Sequence, residues 1–194
     1  MAKRDPLNTL GASNHSKKER SERDYYGTDP RATKAILNRE TFNKNVWEPC
    51  AGRHKMSQVL EAAGYNVRKS DIFDYGYNNE ILDFLDSTEH WDGDIITNPP
   101  YELATEFVVK SLATVNEGNK VAMFLRTLFL ESQSRYTKIF KDNPPKIIYI
   151  FSKRQVCSKV DDFTEGSAVS YCWMIWEKGF KGDPIVKWIN EEVI

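Results

Sequence analysis

What this chain lacks narrows its possibilities before any motif is read. Its three cysteines, Cys50, Cys157 and Cys172, are odd in number and far apart. No CxxC pair occurs, so neither a zinc site nor a disulfide framework is indicated, and a reducing, cytoplasmic setting is the simpler expectation. No metal site is expected. No apolar run approaches the roughly 20 residues that a membrane-spanning helix needs, and no signal-peptide pattern is visible. Neither sign of charge is in excess: 27 Lys and Arg stand against 28 Asp and Glu, a formal net charge of −1. A uniformly basic surface is thereby excluded, but a local basic groove is not. Internal repeats are absent too.

What remains is the composition of a folded domain. The 194 residues are 40% hydrophobic and 12% aromatic, enough for one core of ordinary size. Residues 1–24 are polar and dense in charge, with a slight excess of lysine and arginine. They read as a flexible arm, and 25–194 as a single domain. Thr28 or Asp29 is placed to cap a helix that Pro30 opens. Strands are expected near 46–49, 65–71, 94–98, 120–126, 146–151, 168–176 and 185–189. Helical spacing recurs at 56–63, which Gly64 closes, at 103–112 and at 129–140; residues 152–167 read as a polar loop. Strands alternating with helices argue a mostly parallel sheet covered on both faces. The last two strands lack a helix-length connection, so an antiparallel partner at the edge is expected.

The stretch most able to carry chemistry is Asp94-Ile95-Ile96-Thr97-Asn98-Pro99-Pro100-Tyr101. A buried strand ends in two prolines, which pin Asn98 and Pro99 at its carboxyl end. Open α/β sheets build ligand sites at that edge. The Asn98 amide oxygen and a neighbouring main-chain carbonyl form two close acceptors, which suit an exocyclic amino group with its two N–H donors. Accepting both hydrogens raises electron density on that nitrogen, so it can attack an electrophilic methyl group. Tyr101 can stack on a planar ring. Upstream, Glu48-Pro49-Cys50-Ala51-Gly52 is a strand-to-helix turn whose glycine allows close approach of a ligand. Glu48 and Asp71, both at strand ends, are placed to bind an ammonium and ribose hydroxyls.

The order Glu-Pro-x-x-Gly, an acid after the second strand, Asp-Phe, then Asn-Pro-Pro-Tyr resembles class I S-adenosylmethionine-dependent methyltransferases. It is most similar to the small N6-adenine DNA methyltransferases of phages and prophages, over roughly residues 25–188. The resemblance implies a Rossmann-like α/β fold with a mostly parallel seven-stranded sheet, an antiparallel edge strand and no separate target-recognition domain. It implies S-adenosylmethionine as cofactor. Glu48, Pro49 and Gly52 would line the methionine end, Asp71 the ribose, and Asp83 with Phe84 the cofactor adenine, while Tyr26 and Thr28 close the pocket. Asn98, Pro99, Pro100 and Tyr101 would hold a target adenine flipped out of DNA. Arg126, Arg135, Lys153, Arg154 and Lys159 are the candidates for contact with the nucleic-acid backbone. The same tetrapeptide occurs in methyltransferases of protein glutamine and of RNA guanine N2. A non-catalytic relative that binds DNA, cofactor or a host protein is the alternative of a different class. Two departures bear on this choice. His54 stands where the family has a second glycine, so a β-carbon and an imidazole are expected to crowd the cofactor or shift the loop. Asp29 is inserted before Pro30.

Overall fold

Short apolar runs that stop at proline, glycine or an acid become the strands of one large sheet in the computed structural model, which describes residues 25–164 and 167–190. The elements in chain order are β1 (Gly27–Thr28), α1 (Pro30–Leu37), β2 (Asn45–Glu48), α2 (Lys55–Ala62), β3 (Asn66–Asp71), β4 (Glu80–Ile81) and β5 (Asp94–Thr97). They continue with α3 (Ala104–Thr114), β6 (Lys120–Arg126), the single turn α4 (Gln133–Arg135), β7 (Ile147–Phe151), β8 (Cys157–Ser158), β9 (Tyr171–Glu177) and β10 (Ile185–Ile189). The main sheet has eight strands in the order β10-β7-β9-β6-β5-β2-β3-β4, and β1 with β8 forms a separate two-stranded ribbon. The expected charged arm, residues 1–24, lies outside the described residues.

Local chemistry sets the helix ends. The Asp29 carboxylate accepts from the Arg31 N–H at 2.9 Å with Pro30 in the first turn, so the inserted acid is the cap of α1. Gly64 takes φ 89° to close α2. Along β6, Val121, Met123 and Leu125 enter one core while Ala122 and Phe124 enter the other. The first core lies under α3 and the second under α1 and α2, so helices cover both faces.

Three expectations need correction. The sheet has eight strands rather than seven. The antiparallel strand is interior: β9 pairs antiparallel with both β6 and β7, and the edge is taken by β10, which runs parallel to β7. The reason is burial. Tyr171 through Trp176 are all buried, whereas Ile185, Val186 and Trp188 of β10 are exposed. The helix expected at 129–140 is broken into a 3-10 turn at Thr127–Leu130, α4, and a π turn at Tyr136–Phe140, because Glu131 and Ser132 are extended.

Candidate active site

The strand ends β2, β3 and β5 share one edge of the sheet, and a cleft of about 410 Å³ opens there. Its walls include Glu48, Pro49, Asp71, Asp83, Phe84 and the whole tetrapeptide from Asn98 to Tyr101, with Tyr26 and Thr28 at the other side. Gly52 is the one cofactor-end candidate that does not line it.

At the tetrapeptide end, the Asn98 side chain is held in one orientation. Its Nδ2 donates to the Tyr26 carbonyl at 3.1 Å and to Thr28 Oγ1 at 3.0 Å. A carbonyl can only accept, so the amide nitrogen must face it and Oδ1 must face the other way. That Oδ1 is buried and has no hydrogen-bond partner. Leaving such an acceptor unpaired costs about 1–3 kcal/mol, so the site is built to receive a donor. Tyr101 donates from its hydroxyl to Cys157 Sγ at 3.4 Å, and burial raises its pKa well above the usual phenol range. The Arg126 guanidinium lies 4.4 Å from the centre of the Tyr101 ring, while Tyr26 and Tyr171 flank that ring at 6.1 and 5.9 Å. Tyr101 therefore holds a planar cation where a planar base is expected.

At the other end, the Glu48 carboxyl is buried and accepts from the Ser57 hydroxyl on α2. Burial raises its pKa to about 8, and nearby Asp71 adds to the rise. Asp71 accepts from the Gly52 N–H at 2.9 Å and the Phe73 N–H at 3.1 Å; its pKa is raised by burial in spite of these bonds. A β-carbon on Gly52 would meet the Tyr25 ring at 2.5 Å, and φ there is 48°. Glycine is thus required for backbone freedom and for the close approach of Tyr25.

His54 does not crowd the cleft. It takes the left-handed backbone (φ 63°) that a glycine would adopt, and its ring sits among Asn79 and Tyr77 rather than in the cleft wall. Asp83 lines the cleft, with Oδ1 accepting from the Leu85 N–H at 3.0 Å. Phe84 is stacked on Phe107 at 5.4 Å and packs edge-on to Trp47, so its ring belongs largely to the core. Further apolar lining at this end comes from Ile72, half exposed, with Phe73, Tyr75 and Leu103. Sequence reasoning passed over these four, although their position just after an acidic strand end or a helix-opening proline pair was a usable signal.

A part of the chain read only as a polar loop packs on the β1 side of the cleft. β8 pairs antiparallel with β1, setting Cys157 opposite Thr28. Asp161, itself at φ 60°, accepts from the Tyr25 hydroxyl at 2.7 Å and pairs with Arg53 at 3.5 Å and Lys55 at 3.8 Å. Of the basic candidates, Lys159 lies 4.8 Å from the Tyr26 ring centre, near the tetrapeptide. Lys153 and Arg154 are exposed on the same loop, Arg154 reaching the Ser167 carbonyl at 3.3 Å. Arg135 differs. Its guanidinium donates to the carbonyls of Phe129, Leu128 and Glu131, so it is committed to holding the broken helix together.

Among the described residues, no group of His, Cys, Asp or Glu could hold a metal ion, and no helix is long and apolar enough to cross a membrane. No family model matches the sequence, and no curated protein matches it. Solved structures do. The methyltransferase subunit of a type I restriction-modification system from Streptococcus thermophilus superposes with a TM-score of 0.58 at 12% identity, covering 81% of this chain and 45% of that one. A protein of Listeria monocytogenes assigned to the class I S-adenosylmethionine-dependent methyltransferases gives 0.54 at 11% identity, covering 82% and 62%. An S-adenosylmethionine-dependent O-methyltransferase from Thermotoga maritima gives 0.51 at 11% identity, covering 79% and 67%. The chain spans less than two thirds of the length of the first two. At this identity the likeness is one of architecture, and in architecture the chain has the Rossmann-like class I methyltransferase fold.

Proposed function

We propose that this protein transfers a methyl group from S-adenosylmethionine to the N6 amino group of adenine in DNA. One observation carries the reading: the Asn98 amide oxygen is buried, unpaired and fixed in direction by the Tyr26 carbonyl and Thr28 Oγ1. An acceptor of this kind takes an N–H from an amino group, and the adjacent Pro99 carbonyl is the natural second acceptor. Withdrawing both hydrogens into these bonds turns the nitrogen lone pair away from the ring and makes it nucleophilic. Tyr101 supplies a stacking face, which a planar base reaches by displacing the Arg126 guanidinium. Freed from the ring, Arg126 is at hand for a phosphate, as are Lys153, Arg154 and Lys159.

The residues present fit the cofactor. A sulfonium and an ammonium are cations, and the cleft lining carries the carboxyl groups of Glu48, Asp71, Asp83 and Glu102. A purine needs apolar walls, which Ile72, Phe73 and Leu103 provide. When bound, S-adenosylmethionine supplies an electrophilic methyl group. The chain's own part is to position and to polarise the amine at Asn98 Oδ1. No proton-abstracting side chain is required before attack, since the neutral amine is itself the nucleophile.

The test is incubation with labelled S-adenosylmethionine and unmethylated DNA, followed by digestion to nucleosides. N6-methyladenine is expected, with its yield lowered at least about a hundredfold by Asn98→Ala, the scale of losing one preorganised polar contact at a reacting atom. No N6-methyladenine, or a yield untouched by Asn98→Ala, overturns the reading.

A further inference from the structure

Two residues of the turn between β2 and α2 have positive φ, Gly52 at 48° and His54 at 63°. Histidine visits this region more readily than most residues, yet it holds it only where its surroundings insist. Those surroundings are visible. The His54 N–H donates to the Ala51 carbonyl at 2.8 Å, closing the turn, but its side chain makes no cap bond to α2. The ring reaches the β3–β4 connection instead, where Nε2 lies 2.5 Å from Asn79 Oδ1. Asn79 Nδ2 donates in turn to the Gly52 carbonyl at 2.7 Å. Because that nitrogen is committed, Oδ1 is the accepting atom, and His54 presents Nε2–H to it. Tyr77 packs edge-on against the imidazole at 5.7 Å.

The circuit therefore runs from the Gly52 carbonyl to Asn79, to the His54 ring, and back through two peptide units to Gly52. It joins the loop that lines the methionine end to the 72–80 segment, which contributes Ile72, Phe73 and Tyr75 to the cleft. Tyr75 also packs against Tyr25 at 5.4 Å, and the Tyr25 hydroxyl is fastened to Asp161. We propose that His54 is a positioning residue: with Asn79 it clamps the turn to the 72–80 segment, fixing two walls of the cofactor cleft relative to each other. This rests on the reading that S-adenosylmethionine binds in the cleft. A side-chain clamp thus takes the place of a second glycine, and the imidazole supports the cofactor site instead of obstructing it.

The experiment compares His54→Asn, Asn79→Ala and the double variant with wild type. Asparagine tolerates the left-handed backbone but is too short to bridge, and Asn79→Ala leaves the turn's own sequence untouched, so the pair separates the clamp from a folding defect. Without cofactor, each single variant is expected to raise amide exchange over 72–80 by about tenfold, with exchange in β2, β5 and β6 unchanged. Calorimetric affinity for S-adenosylmethionine falls by about tenfold in each, turnover at saturating cofactor stays within about twofold, and the double variant matches the weaker single. Unchanged exchange over 72–80 overturns the proposal, as does cofactor affinity equal to or tighter than that of wild type. Faster exchange spread through the whole sheet, or additive losses in the double variant, overturns it too. If wild type binds no S-adenosylmethionine, the cofactor reading falls, and the exchange comparison alone then decides the clamp.

Discussion

Glu48 makes the cofactor reading answerable by pH. In the protein without ligand its carboxyl is buried beside Ser57 and close to Asp71, and its pKa stands near 8 against an ordinary 4.5. The native state holds that proton at pH 7, while the unfolded chain has already released it. Stability from this group is therefore greatest below the unfolded pKa and declines as pH rises from about 4.5 towards 8. Binding an ammonium beside Glu48 has the opposite preference, because the cation favours the carboxylate. If only the carboxylate accepts the ligand, apparent affinity scales with the ionised fraction, a loss of about a hundredfold at pH 6, about tenfold at pH 7 and about twofold at pH 8. Titration calorimetry with S-adenosylmethionine between pH 6 and 8 is expected to show this rise, which ends where the ligand's own ammonium begins to lose its proton. At pH 7, buffers of different ionisation enthalpy should reveal release of close to one proton. Glu48→Gln, which fixes the group in a neutral form, should bind weakly at every pH and release none. Affinity that stays level from pH 6 to 8 in wild type, with no proton release, refutes the placement of a cation beside Glu48.

Two other consequences can be checked directly. Gly52→Ala drives a β-carbon into the Tyr25 ring and strains a φ of 48°, so it should weaken cofactor binding by at least about tenfold; normal affinity would mean that Tyr25 is not packed there. Trp173→Ala empties a fully buried site and leaves the Ala32 carbonyl without the indole N–H that meets it at 2.9 Å. A loss of about 3–5 kcal/mol is expected in urea unfolding, and under 1 kcal/mol would contradict the packing of β9 against α1.

Much of the site was legible because its residues sit where strands stop. Prolines after Asn98 and after Glu48 mark strand ends without ambiguity, and strand ends on one edge of a parallel sheet converge whatever the intervening sequence. The placement of β9 was less legible only because connection length was weighed above burial. A run such as Tyr171 to Trp176, apolar on both faces, belongs between two strands, and the strand whose residues Ile185 to Trp188 are exposed belongs outside. His54 illustrates a different limit. Its backbone angle could be suspected from the missing glycine, but its partner, Asn79, lies in an irregular loop with no periodicity to announce it. The same holds for β8, two residues long, whose pairing with β1 spans most of the chain. An aromatic side chain beside an acid reads equally well as a ligand wall or as core, and Phe84 takes both places, lining the cleft while packing on Trp47 and Phe107.

The interior position of β9 also has a consequence for synthesis. β6 and β7 do not touch each other in the sheet; each is bonded through β9, and β7 otherwise pairs only with β10. Until Tyr171–Glu177 has left the ribosome, the inner edge of β6 presents a row of unsatisfied peptide groups beside the apolar side chains of Val121 to Leu125, and β7 has nothing to join. Such an edge is a template for a neighbouring chain. Nascent or truncated forms ending before residue 171 should therefore be the ones that recruit chaperones and aggregate, whereas completion of β9 zips two halves of the sheet together in a single late event.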